Sequence, residues 1–387
     1  MIIQDTILPV SAVDSLPASR VTPTFPVTAT ATDSGGVAGV ELFERKDGGA
    51  WASYGTDTTS PWQWSFDTTA LGGDGFYEFY SVATDRATNV EAPPAGPDAS
   101  TTVDTAPPLS SADSLPVYET TPAFVVTASA SDSGSGVASV DLYYRQLGGG
   151  WTLLGTDDAA PWSWVIDTAL AGGDGFYEFY SVATDALGNT EAQSPATDVS
   201  TTVDTIAPLT GLTLTGISGQ GAWYVSAVTV RLNPSDFGSG LATTTYRIDG
   251  GSWIPYSTPF LMSDDGIHTM EYASTDNAGN VELTQTADIS IDTTPPSTAA
   301  TPGGTLGANG WYQSAVTIQL VTSDATSGPG LTEFQLDAGA WEPYSSGVTV
   351  PAEGLHDIVF RSTDVAGNAE AEQALPFKID LTPPTTE

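Results

Sequence analysis

Residues 72–85 read Gly-Gly-Asp-Gly-Phe-Tyr-Glu-Phe-Tyr-Ser-Val-Ala-Thr-Asp, and the same fourteen residues return unchanged at 172–185, a period of 100. Side chains alternate across a strand, so Tyr77, Phe79, Ser81 and Ala83 share one face while Phe76, Glu78, Tyr80 and Val82 share the other. The Asp-Gly pair ahead of the strand suits a tight corner, because glycine tolerates positive φ.

Around this stretch Trp51 matches Trp151, the Pro-Trp-x-Trp of 61–64 matches 161–164, and Val103-Asp104-Thr105 matches Val203-Asp204-Thr205. A second pair of units follows at a period of 88, in which Trp223-Tyr224 matches Trp311-Tyr312 and Trp253 matches Trp341. Every unit ends in an alternating strand, Thr-Asp, a turn with Asn, a last strand, and an Asp-Thr or Asp-Leu-Thr with prolines. Short alternating runs separated by Gly- and Asp-rich turns, with no 3.6-residue apolar stripe, predict an all-β fold: four tandem immunoglobulin-like β-sandwiches joined by short Pro-rich linkers. The Pro punctuation sets the expected domains at 1–105, 106–205, 206–293 and 294–387, with stiff connections. Both ends of the sequence fall inside the same punctuation, so a segment of a longer array is expected, with the export signal elsewhere.

The 387 residues carry 47 acidic and 9 basic side chains, a formal charge of -38. No Lys/Arg cluster exists to hold phosphates, which excludes nucleic acid and an anionic membrane surface as partners. Cysteine is absent, so disulfides, thiolate metal sites and cysteine nucleophiles drop out. No run approaches the ~18 apolar residues of a membrane span, and the first ten residues lack the basic and apolar regions of a signal peptide.

Units one and two resemble bacterial immunoglobulin-like domains, through 126–145 (VTASASDSGSGVASVDLYYR) and 160–191. Units three and four resemble a second immunoglobulin-like repeat, marked by 245–260 (TYRIDGGSWIPYSTPF) and 264–282 (DDGIHTMEYASTDNAGNVE). The resemblance implies a non-enzymatic structural segment of an extracellular surface protein, acting as a stiff stalk or adhesin-type spacer. The alternatives are an accessory, glycan-binding region of a secreted enzyme and a self-assembling filament or S-layer subunit. Expected partners are neighbouring domains of the array, other copies of the chain, or surface glycans. Unit one departs from the pattern at Arg86-Ala87-Thr88-Asn89, where the others place Gly before Asn; its turn is expected to be altered but kept.

Tyr77 and Tyr177 stand where such sandwiches carry a tyrosine corner, a hydroxyl bonded back to the preceding turn. His268 and His356, the only histidines, align with them and are expected to make the same kind of bond. No nucleophile–base arrangement or phosphate loop appears, and no cofactor is expected. Trp62 and Trp64, like Trp162 and Trp164, read as core rather than as a glycan platform, because Phe66 and Ile166 continue their face.

Two candidate sites remain. Phe43, Phe76 and Tyr80, with Tyr143, Phe176 and Tyr180, are expected on an exposed aromatic face for a glycan or a neighbouring copy; ordinary cross-strand packing is the competing reading. On that face Arg45 should meet Glu78, and Arg145 should meet Glu178. Asp85, Asp185 and Asp276 (with Asp364) end a strand beside a turn, while Asp104, Asp204 and Asp292 open linkers. Two such acids at each junction would offer calcium the oxygen ligands it takes. Otherwise each Asp caps its own turn.

Overall fold

The computed structural model describes residues 5–192, 196–383 and 385. The chain divides into two compact units, Met1–Thr205 and Ile206–Glu387. Each contains two sandwiches in which a three-stranded sheet faces a five-stranded one.

In the first sandwich the strands are β1 (Val10–Val13), β2 (Ser19–Arg20), β3 (Thr24–Thr32), β4 (Val37–Lys46), β5 (Ala52–Asp57), β6 (Trp62–Asp67), β7 (Gly75–Asp85) and β8 (Ala99–Val103). The sheets run β1-β3-β6 and β2-β8-β7-β4-β5. All pairings are antiparallel except β2 with β8, where Ser19 faces Thr102 and Arg20 faces Val103. That two-residue strand blunts one edge of the larger sheet, as short edge strands do.

Alternation places the core. In β6, Trp62, Trp64 and Phe66 point inward while Gln63 and Ser65 are exposed. They lie opposite Ala29, Val27 and Phe25 of β3, so the larger Trp rings sit beside smaller partners. Tyr77 and Phe79 of β7 close the core from the other sheet, both fully buried, and Phe66 packs edge-on to both. Burial of each such side chain is worth roughly 1.5–3 kcal/mol. The second sandwich repeats this plan with Trp162, Trp164, Ile166, Tyr177 and Phe179. In the second unit the cores are smaller and more aliphatic, built on Val228, Val230, Met270 and Ile289 in one sandwich and on Val316, Ile318, Ile358 and Phe360 in the other.

The turn after β7 is altered and kept, as expected. Asp85 N–H donates to Asn89 O at 3.0 Å, the same bond Asp185 makes to Asn189. Gly188, Gly279 and Gly367 take the positive φ that this turn needs; in the first sandwich Thr88 is forced to φ 73°.

Candidate functional site

The corner orients the long strand. An Asp67-capped 3-10 turn, Thr68–Leu71, ends at Gly72 with φ 97°, so the chain doubles back into β7. The Tyr77 hydroxyl then donates to Gly73 O at 2.6 Å, and Tyr177 donates to Gly173 O at 2.7 Å. Burial, with help from Glu44, Asp47 and Asp74, pushes the Tyr77 hydroxyl up to about 12, so it remains a donor at any physiological pH. His268 and His356 occupy the equivalent place, each Nε2 3.0 Å from the carbonyl oxygen four residues earlier.

On the outward face of the five-stranded sheets the register opposes Arg45 to Glu78 and Arg145 to Glu178. Each pair closes at 2.7 Å. The guanidiniums also lie over Trp51 and Trp151, 4.5 and 4.4 Å from the ring centroids. Arg247 repeats the arrangement with Glu271 and Trp253. In the last sandwich the charges exchange strands: Arg361 stands opposite Glu333 and covers Trp341. With Arg20 over Phe25 and Lys378 over Trp311, six of the chain's nine basic residues rest on aromatic rings.

This cluster corrects the expected exposure of two residues. Tyr80 and Tyr180 do lie on the outward face, yet they are buried, 8% and 1% exposed. Trp51 and Trp151 fold over them edge-on at 4.5 Å, and Phe43 and Tyr143 stack on them at 4.8 Å. Phe43, Tyr143 and Phe176 are half-buried, and only Phe76 of the six stands in solvent. Alternation reveals the face of a side chain; the cover came from a tryptophan in the next turn.

The strand-ending aspartates share one geometry. Asp85, Asp185, Asp276 and Asp364 each accept from the backbone N–H and the side-chain amide of Asn89, Asn189, Asn280 and Asn368. Burial acts to raise the Asp85 and Asp185 carboxyls, but the Asn hydrogen bonds outweigh it and hold both below the ordinary value. Each therefore caps its own turn, and the same asparagines bring in the preceding linker acid, as Asn89 does with Asp5 O at 3.2 Å. Asn189 Nδ2 donates to Asp104 O at 3.0 Å, and Ser135 N–H donates to Asp104 Oδ2 at 2.6 Å. Asp292 is gripped the same way by Asn368 and Ser327. Asp204 is buried, with its N–H bonded to Glu119 O at 2.9 Å.

A third acid joins these junctions that the sequence reading passed over. One oxygen from each of Asp104, Asp132 and Asp185 lies within 4.8 Å of the others, and the same holds for Asp5, Asp33 and Asp85 and for Asp292, Asp324 and Asp364. Its signal was present: Asp33 and Asp132 are 99 residues apart, Asp236 and Asp324 are 88 apart, and each follows a strand. In Asp33 and Asp132, Oδ1 is buried and accepts no hydrogen bond.

Paired three- and five-stranded sheets with a corner hydroxyl define tandem immunoglobulin-like sandwiches. Residues 10–79 and 116–191 match the family model described as a bacterial Ig domain, so the first unit carries two bacterial Ig-like domains in tandem. Exoglucanase B of Cellulomonas fimi is 29% identical over 318 residues, which is 76% of this chain. The chain spans 26% of that enzyme's length. Among solved structures, the fibronectin(III)-like modules of Clostridium thermocellum CbhA are 19% identical, with 50% of this chain and 94% of theirs covered at a TM-score of 0.26. A marsupial T cell receptor is 10% identical, with 72% and 99% covered at a TM-score of 0.33. No helix among the described residues is long and apolar enough to cross a membrane.

Proposed function

We propose that this chain is a stiff, non-catalytic spacer of an extracellular multi-domain protein, built from four domains at 1–105, 106–205, 206–293 and 294–387. The observation that carries this reading is the joint at Asp104. On one side Asp104 N–H donates to Arg20 O, and Thr105 N–H donates to Asp74 Oδ2 at 2.8 Å. On the other, Ser135 and Asn189 hold the same aspartate, and Gly134 leaves its carboxylate room that a Cβ would fill. A connector fastened at both ends resists bending, unlike a Gly/Ser linker. In the second unit Gln220 N–H donates to Ala366 O at 2.7 Å, a further tie between a loop of one sandwich and the turn of the next.

In the same reading the aspartate triads take a divalent cation such as calcium, which accepts carboxylate and carbonyl oxygens. The unpartnered buried Oδ1 of Asp33 and Asp132 supports this assignment. The test is small-angle scattering of the full chain with calcium, with EDTA, and as the Asp104→Ala/Asn189→Ala variant. A stiff spacer gives a sharply defined longest dimension that the double variant blurs. If the wild-type curve already fits freely jointed domains, the spacer reading fails; if EDTA changes neither curve nor melting temperature, the cation fails alone.

The resemblance to the exoglucanase favours a second setting, in which the array accompanies the catalytic domain of a secreted carbohydrate-degrading enzyme. Pull-down on cellulose separates the two uses. Retention assigns the array a glycan-binding part in such an enzyme, and free passage leaves it a spacer.

A further inference from the structure

We infer that the second unit is a pH-responsive half of the chain, whose corners are held by imidazolium and tighten in mild acid, whereas the tyrosine corners of the first unit do not respond. This goes beyond the spacer reading and stands whether or not that reading holds.

His268 Nδ1 lies 2.9 Å from Asp249 Oδ2, and its Nε2 lies 3.0 Å from Asp264 O. His356 Nδ1 lies 2.7 Å from Asp337 Oδ2, and its Nε2 lies 3.0 Å from Ala352 O. All four facing atoms are oxygens that only accept. A neutral imidazole carries one N–H, so one nitrogen would set its lone pair against an oxygen at hydrogen-bond distance. Only the doubly protonated ring donates to both.

The acids do not yield instead. Asp249 Oδ1 accepts from Thr269 N–H at 2.8 Å and Asp337 Oδ1 accepts from Asp357 N–H at 3.0 Å, which fixes each carboxylate in the turn. The Asp249 carboxyl is held low, chiefly by His268; burial pushes the Asp337 carboxyl up, but the Asp357 N–H and His356 together bring it below its ordinary value. Asp264 and Tyr246 line the same pocket as His268, with Asp265 in the adjoining turn and Asp288 opposite Thr269 on the paired strand. Around His356 they are Asp357 on the same strand, Glu353 in the preceding turn and Lys378 on the neighbouring strand. The Asp249 hydrogen bond is the largest cause moving His268 above its ordinary value.

The sign follows. A group whose folded pKa lies above its unfolded value stabilises fully below about pH 6.5, and the contribution is lost as pH rises through the folded pKa. Tyr77 and Tyr177 donate a single neutral O–H to Gly73 and Gly173 and have nothing to lose over that range.

The test uses the full chain, in which two histidines give two ring resonances, assigned with His268→Tyr. The His268 resonance should titrate above 6.5. Hydrogen-exchange protection of strands Gly266–Asp276 and Gly354–Asp364, corrected for intrinsic rates, should fall about threefold or more from pH 6 to pH 8.5. Protection of Gly75–Asp85 and Gly175–Asp185 should hold, an internal control within the same sample. The His268→Tyr/His356→Tyr variant should abolish the difference. A His268 midpoint at or below 6.5, or a pH response that survives in the double variant, overturns the inference; if that variant does not fold, the His268 midpoint alone decides.

Discussion

The Arg145 guanidinium lies between Glu178 and Trp151, 2.7 Å from the carboxylate and 4.4 Å from the ring centroid. The stack roofs Tyr180, which Trp151 meets edge-on at 4.5 Å. The ion pair is half-buried at the rim of the sheet, where water still screens part of it, whereas the indole keeps water from a buried ring. Recurrence of Trp at 51, 151, 253 and 341, while the arginine changes strand in the last sandwich, says which member matters more.

Truncating that indole should therefore cost more than removing the charge. Trp151→Ala is expected to lower stability by about 2 kcal/mol through lost packing. Arg145→Met, which keeps an apolar stem over the ring, should leave the urea midpoint nearly unchanged. The ordering of the two midpoints is decisive: a larger loss from Arg145→Met would make the ion pair the principal contributor.

The corner makes a sharper case, because its acceptor is a backbone carbonyl. Tyr177 is fully buried and its hydroxyl meets Gly173 O at 2.7 Å. Tyr177→Phe keeps the ring and strands the carbonyl, at a cost of about 1–3 kcal/mol. Thermal melts of the full chain should show the transition of the first unit shifted and that of the second unmoved. No shift would mean that the strand entry is held by ring packing alone.

What was legible in the sequence was periodic. Alternation identified the inward Trp62, Trp64, Tyr77 and Phe79, and alignment on the Thr-Asp that ends the long strand identified the His268 and His356 corners. Outward alternation also anticipated the Arg45–Glu78 and Arg145–Glu178 pairs. Contacts made across long separations were not legible. Asp132 reaches Asp104 and Asp185 only after the sandwich closes. Tyr80 is buried by a tryptophan 29 residues earlier, whose position depends on a hairpin turn rather than on a period.

Thr88 tests the turn that carries the strand-ending aspartate. Its φ of 73° is a left-handed conformation that a β-branched residue adopts at a cost, and Gly188 takes φ 90° at the same place without one. Thr88→Gly should stabilise the first sandwich by about 1 kcal/mol, after the added chain entropy of glycine is subtracted. The reverse change, Gly188→Thr, should cost the second sandwich about 1–2 kcal/mol. Equal melting temperatures for Thr88→Gly and wild type would show that the Asp85–Asn89 hydrogen bonds absorb the strain.

Glu44 is the one core position where the two bacterial Ig-like domains disagree in charge. It is 7% exposed and points inward with Leu42, where the second domain places Tyr144. The volumes compensate: the first domain has Tyr54 against Phe66 at 4.8 Å, while the second has Leu154 beside its core. Among the described residues the carboxyl has no partner of opposite charge, and burial raises it above the ordinary glutamate value. For an acid whose folded pKa lies above its unfolded one, the protonated form favours folding, so its stability contribution is greatest at low pH and declines as pH rises through the interval between the two values. At neutral pH the ionised group is a net burden that Glu44→Gln removes, with an expected gain of about 1 kcal/mol. The gain should shrink towards zero below pH 4, where wild type and variant are both uncharged at this position. Melting curves of the two proteins at pH 7 and pH 3.5 give the comparison. A variant less stable than wild type at pH 7 would mean that the Glu44 carboxylate is held ionised by the fold and that its place beside Tyr77 is stabilising.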